Sequence, residues 1–303
     1  MSTSVLYDAP GPKARRMSRI SSIIGLLLIV AFVAWIVTLL AAPRISANGA
    51  EQPGMFDPSR WDILTDRALW RGVGEGVLST LRMAAVGAVL ALVIGVLFSF
   101  GRTASSALIR VPTTVVLEFF RGMPVLLMML FILLVFSTGA YWAGVLALGI
   151  YNGAIIGEVL RAGIASLPRG QRESGLALGL TPLKTRFLIE FPQAFRQMLP
   201  IIIAQLVVLL KDTSLAYVIG YPELLRRVVQ QMSNFYGNRY FFTLFFLALV
   251  IYLALNLTLS WIARVVARRT AGGYTKRGGP KKPLTTIGAP VVLQADGGES
   301  RQG

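Results

Sequence analysis

Residues 20–42 read ISSIIGLLLIVAFVAWIVTLLAA, 23 positions without a single charge. At 1.5 Å per helical residue such a run reaches about 35 Å, enough to cross the roughly 30 Å hydrocarbon core of a bilayer. The basic cluster Lys13, Arg15, Arg16 and Arg19 stands just before it. A secretory signal has a shorter apolar region and ends at a small-x-small cleavage site, and no convincing one follows here, so a retained span is expected.

Working outward, further apolar runs cover 77–100, 111–136, 141–160, 199–220 and 240–266, which makes six predicted spans. The loops between them must then alternate in charge if insertion follows the positive-inside rule. Segments 1–19, 101–110, 161–196 and 264–303 carry 4, 2, 6 and 8 Lys or Arg, whereas 43–76 and 221–239 carry 4 and 3. Twenty against seven puts both termini in the cytoplasm and accounts for the net charge of +16 without nucleic acid. The fold class is therefore an all-α, polytopic (multi-pass) membrane protein. Its expected organisation is a basic cytoplasmic tail (1–19), a first span (20–42), an extracytoplasmic loop (43–76), a five-span core (77–266) and a cytoplasmic tail (267–303). Within the extracytoplasmic loop, Trp61 to Trp70 reads as a short interfacial helix, since Trp anchors at headgroup level. The last tail, rich in Gly, Pro, Lys and Thr from Ala271 onward, is too poor in apolar residues to order itself.

The chain has no Cys and no His. Disulfides, thiolate and imidazole catalysis and the usual transition-metal sites are excluded together. No carboxylate pair at catalytic spacing lies in the spans, so a membrane enzyme is disfavoured. The cytoplasmic loop 161–196 is too patterned for a plain connector. A helix over Ala165 to Leu178 is broken at Gly179 and restarted by Thr181 with Pro182 at its first position, running to Ile189. Such a pair lying along the membrane face would present a fixed surface; the bland alternative is a solvated loop. Gly149, Gly153 and Gly157 recur every fourth residue on one face of the fourth span and let another helix approach closely, either within the chain or from a partner.

The segment Gly170-Gln171-Arg172-Glu173-Ser174-Gly175-Leu176-Ala177-Leu178-Gly179, followed by Phe191-Pro192-Gln193-Ala194, resembles the EAA loop of ATP-binding-cassette (ABC) importer permeases. The match is to their polar amino acid branch, which serves histidine, glutamate, glutamine and arginine. Ser174 and Gly175 stand for the two alanines and Phe191 for a leucine. Glu118-Phe119-Phe120-Arg121-Gly122-Met123-Pro124, the stretch Ala154 to Ile164, and Lys211-Asp212-Thr213-Ser214-Leu215 are similar to three further elements of that branch, in the same order. The resemblance covers about residues 72–266. It implies a type I ABC importer transmembrane domain in the inner (cytoplasmic) membrane of a prokaryote. It also implies partners: a second permease subunit, a dimer of cytoplasmic ATP-binding subunits and an extracytoplasmic solute-binding protein. Gly170, Gln171, Glu173, Ala177, Gly179 and Pro192 would form the ATPase-coupling loop. No cofactor is expected on this chain, which lacks a G-x-x-x-x-G-K-[ST] phosphate loop; ATP and Mg belong to the ATPase partner.

Ionisable groups within spans cost roughly 2.5–3.5 kcal/mol each on insertion scales and are functional candidates by default. Arg121, Glu158, Lys211 and Asp212, with the hydroxyls of Thr213 and Ser214, are the candidate substrate pathway. A backbone bend beside Gly122 and Pro124, with a cation and a carboxylate near the midplane, would suit an amino acid's carboxylate and ammonium. The alternative is that these charges pair with one another to fix helix packing, and that the hydroxyls bond back to the preceding turn. Glu158 and Arg161 can serve a gate or simply snorkel. Glutamate or glutamine is slightly favoured as cargo because Arg121 and Lys211 add positive charge. A stand-alone ion-coupled carrier, and an ABC permease for another small polar solute, are the rival readings.

Overall fold

The computed structural model describes residues 11–45, 49 and 51–271. Expectations for 1–10 and 272–303, including most of the C-terminal tail, lie outside the described residues. Pro12 at the first helical position starts α1 (Pro12–Ala41), so the basic cluster is already helical and the first helix begins eight residues before the apolar run. None of its residues is buried. An apolar helix with no protein around it has lipid as its solvent. Its end joins the bundle, where Met55 N–H donates to Leu40 O (2.8 Å) and Gly54 lies against the Ala41 carbonyl.

A short hairpin of β1 (Arg44–Ile45) and β2 (Glu51–Gln52) leads into two 3₁₀ turns at Pro58–Arg60 and Asp62–Thr65. The interfacial helix expected over 61–70 does not form. Asp66 ends the second turn and caps the next helix by accepting from Ala68 N–H (2.8 Å), so Trp70 belongs to α2 (Arg67–Arg102). At 36 residues α2 is about 54 Å long and protrudes beyond the hydrocarbon on both sides.

The apolar run 111–136 is not one straight span. It splits into α3 (Ala107–Gly122) and α4 (Val125–Phe136), which meet at 103°. Pro124 drives Met123 into the extended region (φ −83°, ψ 131°), which a helix cannot continue. With this pair counted as one broken span, the described residues contain six candidate crossings; five are single helices long and apolar enough to cross a membrane.

Next comes α5 (Ala140–Ala165), whose glycine face is covered by α2 of the same chain. A Cβ at Gly149 would meet Leu90, one at Gly153 would meet Ile94 and the Ala91 carbonyl, and one at Gly157 would meet Phe98 and the Gly95 carbonyl. Leu90, Ile94 and Phe98 of α2 therefore seat directly on the bare α5 backbone.

On the cytoplasmic side α6 (Arg169–Ala177) ends at Gly179, whose φ of +76° is left-handed and open to glycine at no steric cost. Thr181 Oγ1 accepts from Lys184 N–H (3.3 Å) and starts α7 (Pro182–Thr185). The helix was expected to stop near residue 189; instead it runs on through a π turn (Arg186–Glu190) into α8 (Phe191–Asp212). Pro192 explains the widened turn: it has no N–H for the carbonyl four residues back, and Phe191 N–H bonds to Arg186 O.

Beyond a 3₁₀ turn (Thr213–Tyr217), residues 221–239 are more than a surface loop. Leu224, Val228 and Val229 pack with Leu69 and Val73 of α2 into a second core. The segment ends in α9 (Met232–Tyr236) and α10 (Phe241–Ala271), whose Leu244 and Ala248 complete that core. The main core lies between α2, α4, α5 and α8 around Met83, Met129, Leu148, Ile156 and Leu209.

Candidate functional site

The candidate residues fall into three layers along the bundle. The cytoplasmic layer is the 161–196 loop. Gln171 Oε1 accepts from Gln193 Nε2 (3.2 Å), and Gln193 also donates to Ile189 O (2.9 Å), tying α6 to α8 next to Pro192. Gly175 is buried where a Cβ would come within 2.5 Å of Thr185 and 2.9 Å of Ile189, so the two short helices cross at contact distance. That packing role was not evident from the sequence, where Gly175 read only as a small substitute. Gly170, Glu173, Ala177 and Gly179 are exposed on the outer side of this crossing. Beside them Leu178 is 80% exposed and Leu183 65%.

One layer in, the sequence candidates Glu158 and Arg161 join Arg102, Glu118 and Arg121 in a chain of charges. Arg161 grips Glu158 with two bonds, Nε to Oε2 (2.8 Å) and Nη2 to Oε1 (2.7 Å). Arg102, at the end of α2, also pairs with Glu158 and reaches Glu118 Oε1 (3.3 Å), which in turn holds Arg121 (3.3 Å). The network links the cytoplasmic ends of α2, α3 and α5. Arg102 had counted only as a loop cation and Glu118 only as part of a motif; their neighbourhood is a product of the α3 fold-back, which no local pattern reveals.

The third layer is at the far end of α8. Thr213 Oγ1 donates to Leu210 O (2.7 Å) and Ser214 Oγ to Lys211 O (2.9 Å), so both hydroxyls bond back to the preceding turn. Asp212 is half-buried and Lys211 exposed, and among the described residues neither has an ion-pair partner within 4.0 Å. Nearby, the Tyr252 hydroxyl lies in reach of Thr213 and Thr80 and donates to Glu223. Thr80 and Arg102 are separated by about 33 Å along α2. Arg121 and Asp212 therefore do not share one midplane pocket in this chain, as the joint reading of the sequence had them.

Two buried polar groups had no sequence signal. Asn152, fully buried on α5, accepts from Gln205 Nε2 of α8 (2.8 Å). Glu223, also fully buried, accepts from Leu225 N–H (2.8 Å) and Arg226 N–H (2.7 Å) and caps the turn that follows Pro222.

Comparison with known proteins places this architecture. Residues 87–272 match the family described as binding-protein-dependent transport system inner membrane component. A glutamate transport system permease protein of Corynebacterium glutamicum is 36% identical over 233 residues, 74% of this chain and 84% of that one. A glutamine transport system permease protein of Escherichia coli is 34% identical over 212 residues, 67% of this chain and 95% of that one. Among solved structures, an amino acid ABC transporter crystallised with histidines aligns at a TM-score of 0.61 and 28% identity, covering 69% of this chain and 98% of the other. An inward-facing methionine ABC transporter shares the fold at a TM-score of 0.57 and 17% identity, covering 68% and 99%. The all-α, multi-pass bundle is thus the type I ABC importer transmembrane fold, and the chain belongs to the family of binding-protein-dependent transport system inner membrane components.

Proposed function

We propose that this chain is the transmembrane permease subunit of an ATP-driven, binding-protein-dependent importer for a polar amino acid, with glutamate or glutamine as the favoured cargo. The observation that carries the mechanical part is the crossed pair α6 and α7. Its left-handed Gly179 projects Leu178 and Leu183 toward the cytoplasm beside an exposed Glu173, while Gly175 and the Gln171–Gln193 bond fix its inner face. An apolar tip on a charged cytoplasmic loop is a surface for a protein partner rather than for water. Two ATP-binding subunits, carrying ATP and Mg, dock there; because α7 continues without interruption into α8, force applied at the loop reaches the far end of the bundle.

The cargo assignment rests on the named transport of the relatives in glutamate and glutamine systems. A second, like-folded permease subunit lines the other half of the pathway, and a solute-binding protein delivers the amino acid from outside the inner membrane of a prokaryote. Lys211 and Asp212, without an ion-pair partner within 4.0 Å among the described residues, are the groups that meet cargo or the second subunit.

The test is uptake of radiolabelled glutamate and glutamine in cells whose only copy of this chain carries Glu173→Lys. Uptake is expected to vanish at unchanged abundance in the membrane. Normal uptake would remove the docking role, and concentrative transport by the chain reconstituted alone would replace the ATP-driven reading with that of a stand-alone carrier.

A further inference from the structure

A cavity of about 540 Å³ opens at the cytoplasmic ends of α2 and α5 and is closed on its other sides by α6 and the π turn. Five arginines line it against two carboxylates, Glu173 and Glu190. Arg102 and Arg161 are already engaged by Glu158. Arg169 and Arg172 have no such pairing among the described residues, and Arg186 has only a long one with Glu190. Arg186 is only 6% exposed, yet its buried Nε has no hydrogen-bond partner among the described residues: Glu190 Oε2 stands 3.8 Å from it, too far for one. Arg172 lies close enough to add its own positive field rather than relieve it.

A buried guanidinium with free donors, facing a basic cavity, is an incomplete oxyanion site, because the planar fork of arginine matches phosphate and carboxylate oxygens. The place in the fold narrows the source. The cavity sits where the helices leave the hydrocarbon on the positive-inside face, and Leu167 and Leu176 line it alongside the arginines. Basic pockets of this kind between membrane helices take lipid headgroups. We propose that this cavity binds the phosphate of an anionic phospholipid of the cytoplasmic leaflet, held by Arg186 and Arg172.

The experiment titrates the purified full-length chain with phosphatidylglycerol or phosphatidylcholine and follows lipid adducts by native mass spectrometry. Phosphatidylglycerol is expected to bind in preference. Arg186→Gln should weaken it about tenfold, the loss of a charge-assisted bond. The exposed Arg172→Gln should weaken it roughly twofold to fivefold. Equal binding of the two lipids, or a phosphatidylglycerol preference untouched in a folded Arg186→Gln chain, overturns the proposal. If Arg186→Gln does not fold, Arg172→Gln decides alone, and an unchanged preference there is equally fatal. Displacement of phosphatidylglycerol by millimolar inorganic phosphate would reassign the site to a free phosphate and overturn the lipid assignment. Amino acid uptake is not the readout, so failure here leaves the transport reading intact.

Discussion

The two ends of the bundle are fastened by different chemistry. At the extracytoplasmic end several of the fixings run from side chains to backbone. Arg60, 4% exposed, donates to the carbonyls of Pro53 (3.1 Å) and Arg239 (2.6 Å), and Thr243 Oγ1 donates to Arg60 O (2.8 Å). Trp61 closes the same end, bonding to Met55 O (3.2 Å) and standing edge-on to Phe242 and Phe246. At the cytoplasmic end α2, α3 and α5 are joined by side-chain ion pairs, Arg102, Glu158 and Glu118 among them. Backbone acceptors cannot change partner without unfolding a loop, whereas charged side chains on separate helices exchange partners freely. One end is built to stay, the other to let go.

Breaking each end should therefore give different phenotypes. The largest expected effect is at the static end. Arg60→Ala removes a buried guanidinium and both of its charge-assisted bonds to the Pro53 and Arg239 carbonyls, and should cost about 3 kcal/mol of stability. Abundance and uptake should fall together, as read by membrane quantification beside the transport assay; uptake lost at full abundance would contradict this. Next is Glu158→Gln at the releasable end. It leaves Arg102 and Arg161 without their shared anion, and uptake per molecule should drop about tenfold while abundance holds. Equal losses in both would make the charge chain a packing device and erase the contrast.

The smallest effect sharpens the static side through pH. Tyr236 Oη donates to Asp66 Oδ2 (2.6 Å), and this bond, together with the Ala68 N–H, holds the Asp66 carboxyl below its usual range. The same bond pushes the Tyr236 phenol up to about 12. A depressed carboxyl stabilises above its unfolded pKa of 3.8 and loses that contribution as pH falls through the lower folded value. A raised phenol stabilises fully below its unfolded value of 10.0 and loses that contribution as pH climbs toward 12. The unfolding midpoint should sag at both extremes, and Tyr236→Phe should flatten both flanks; an unchanged profile would show the bond to be idle.

What was legible in the sequence follows from which forces are local. Apolar length located the long helices, and Gly179 followed by Thr181-Pro182 gave the break in the cytoplasmic loop, because a left-handed residue and an N-cap act over a few positions. The bend at Pro124 was visible as a breaker, but its 103° angle was not, since that depends on how amphipathic α3 seats against α2 and α5. Likewise the continuity of α7 with α8 was hidden: proline at 192 reads as a helix start, and the π turn that absorbs its missing N–H leaves no mark in the residue pattern. For the site, the helix-break-helix form of the loop that carries Gly170 to Gly179 was readable from its breaker and cap. Arg60 was not, since a lone arginine in a polar loop gives no sign of burial. Nor was the grouping of Arg121 with Glu118 and Arg102, which is created by the fold-back.

The seam of Gly149, Gly153 and Gly157 has a dynamic corollary. With Leu90, Ile94 and Phe98 of α2 keyed onto the glycine backbone of α5, and Ile156 of α5 onto Gly95 of α2, neither helix can slip past the other by small repacking steps. They must travel as a single rod about 54 Å long, so a tilt imposed at its inner tip arrives undiminished at its outer tip. The give required by any rocking motion then falls to the joints around it, the elbow at Met123-Pro124 foremost.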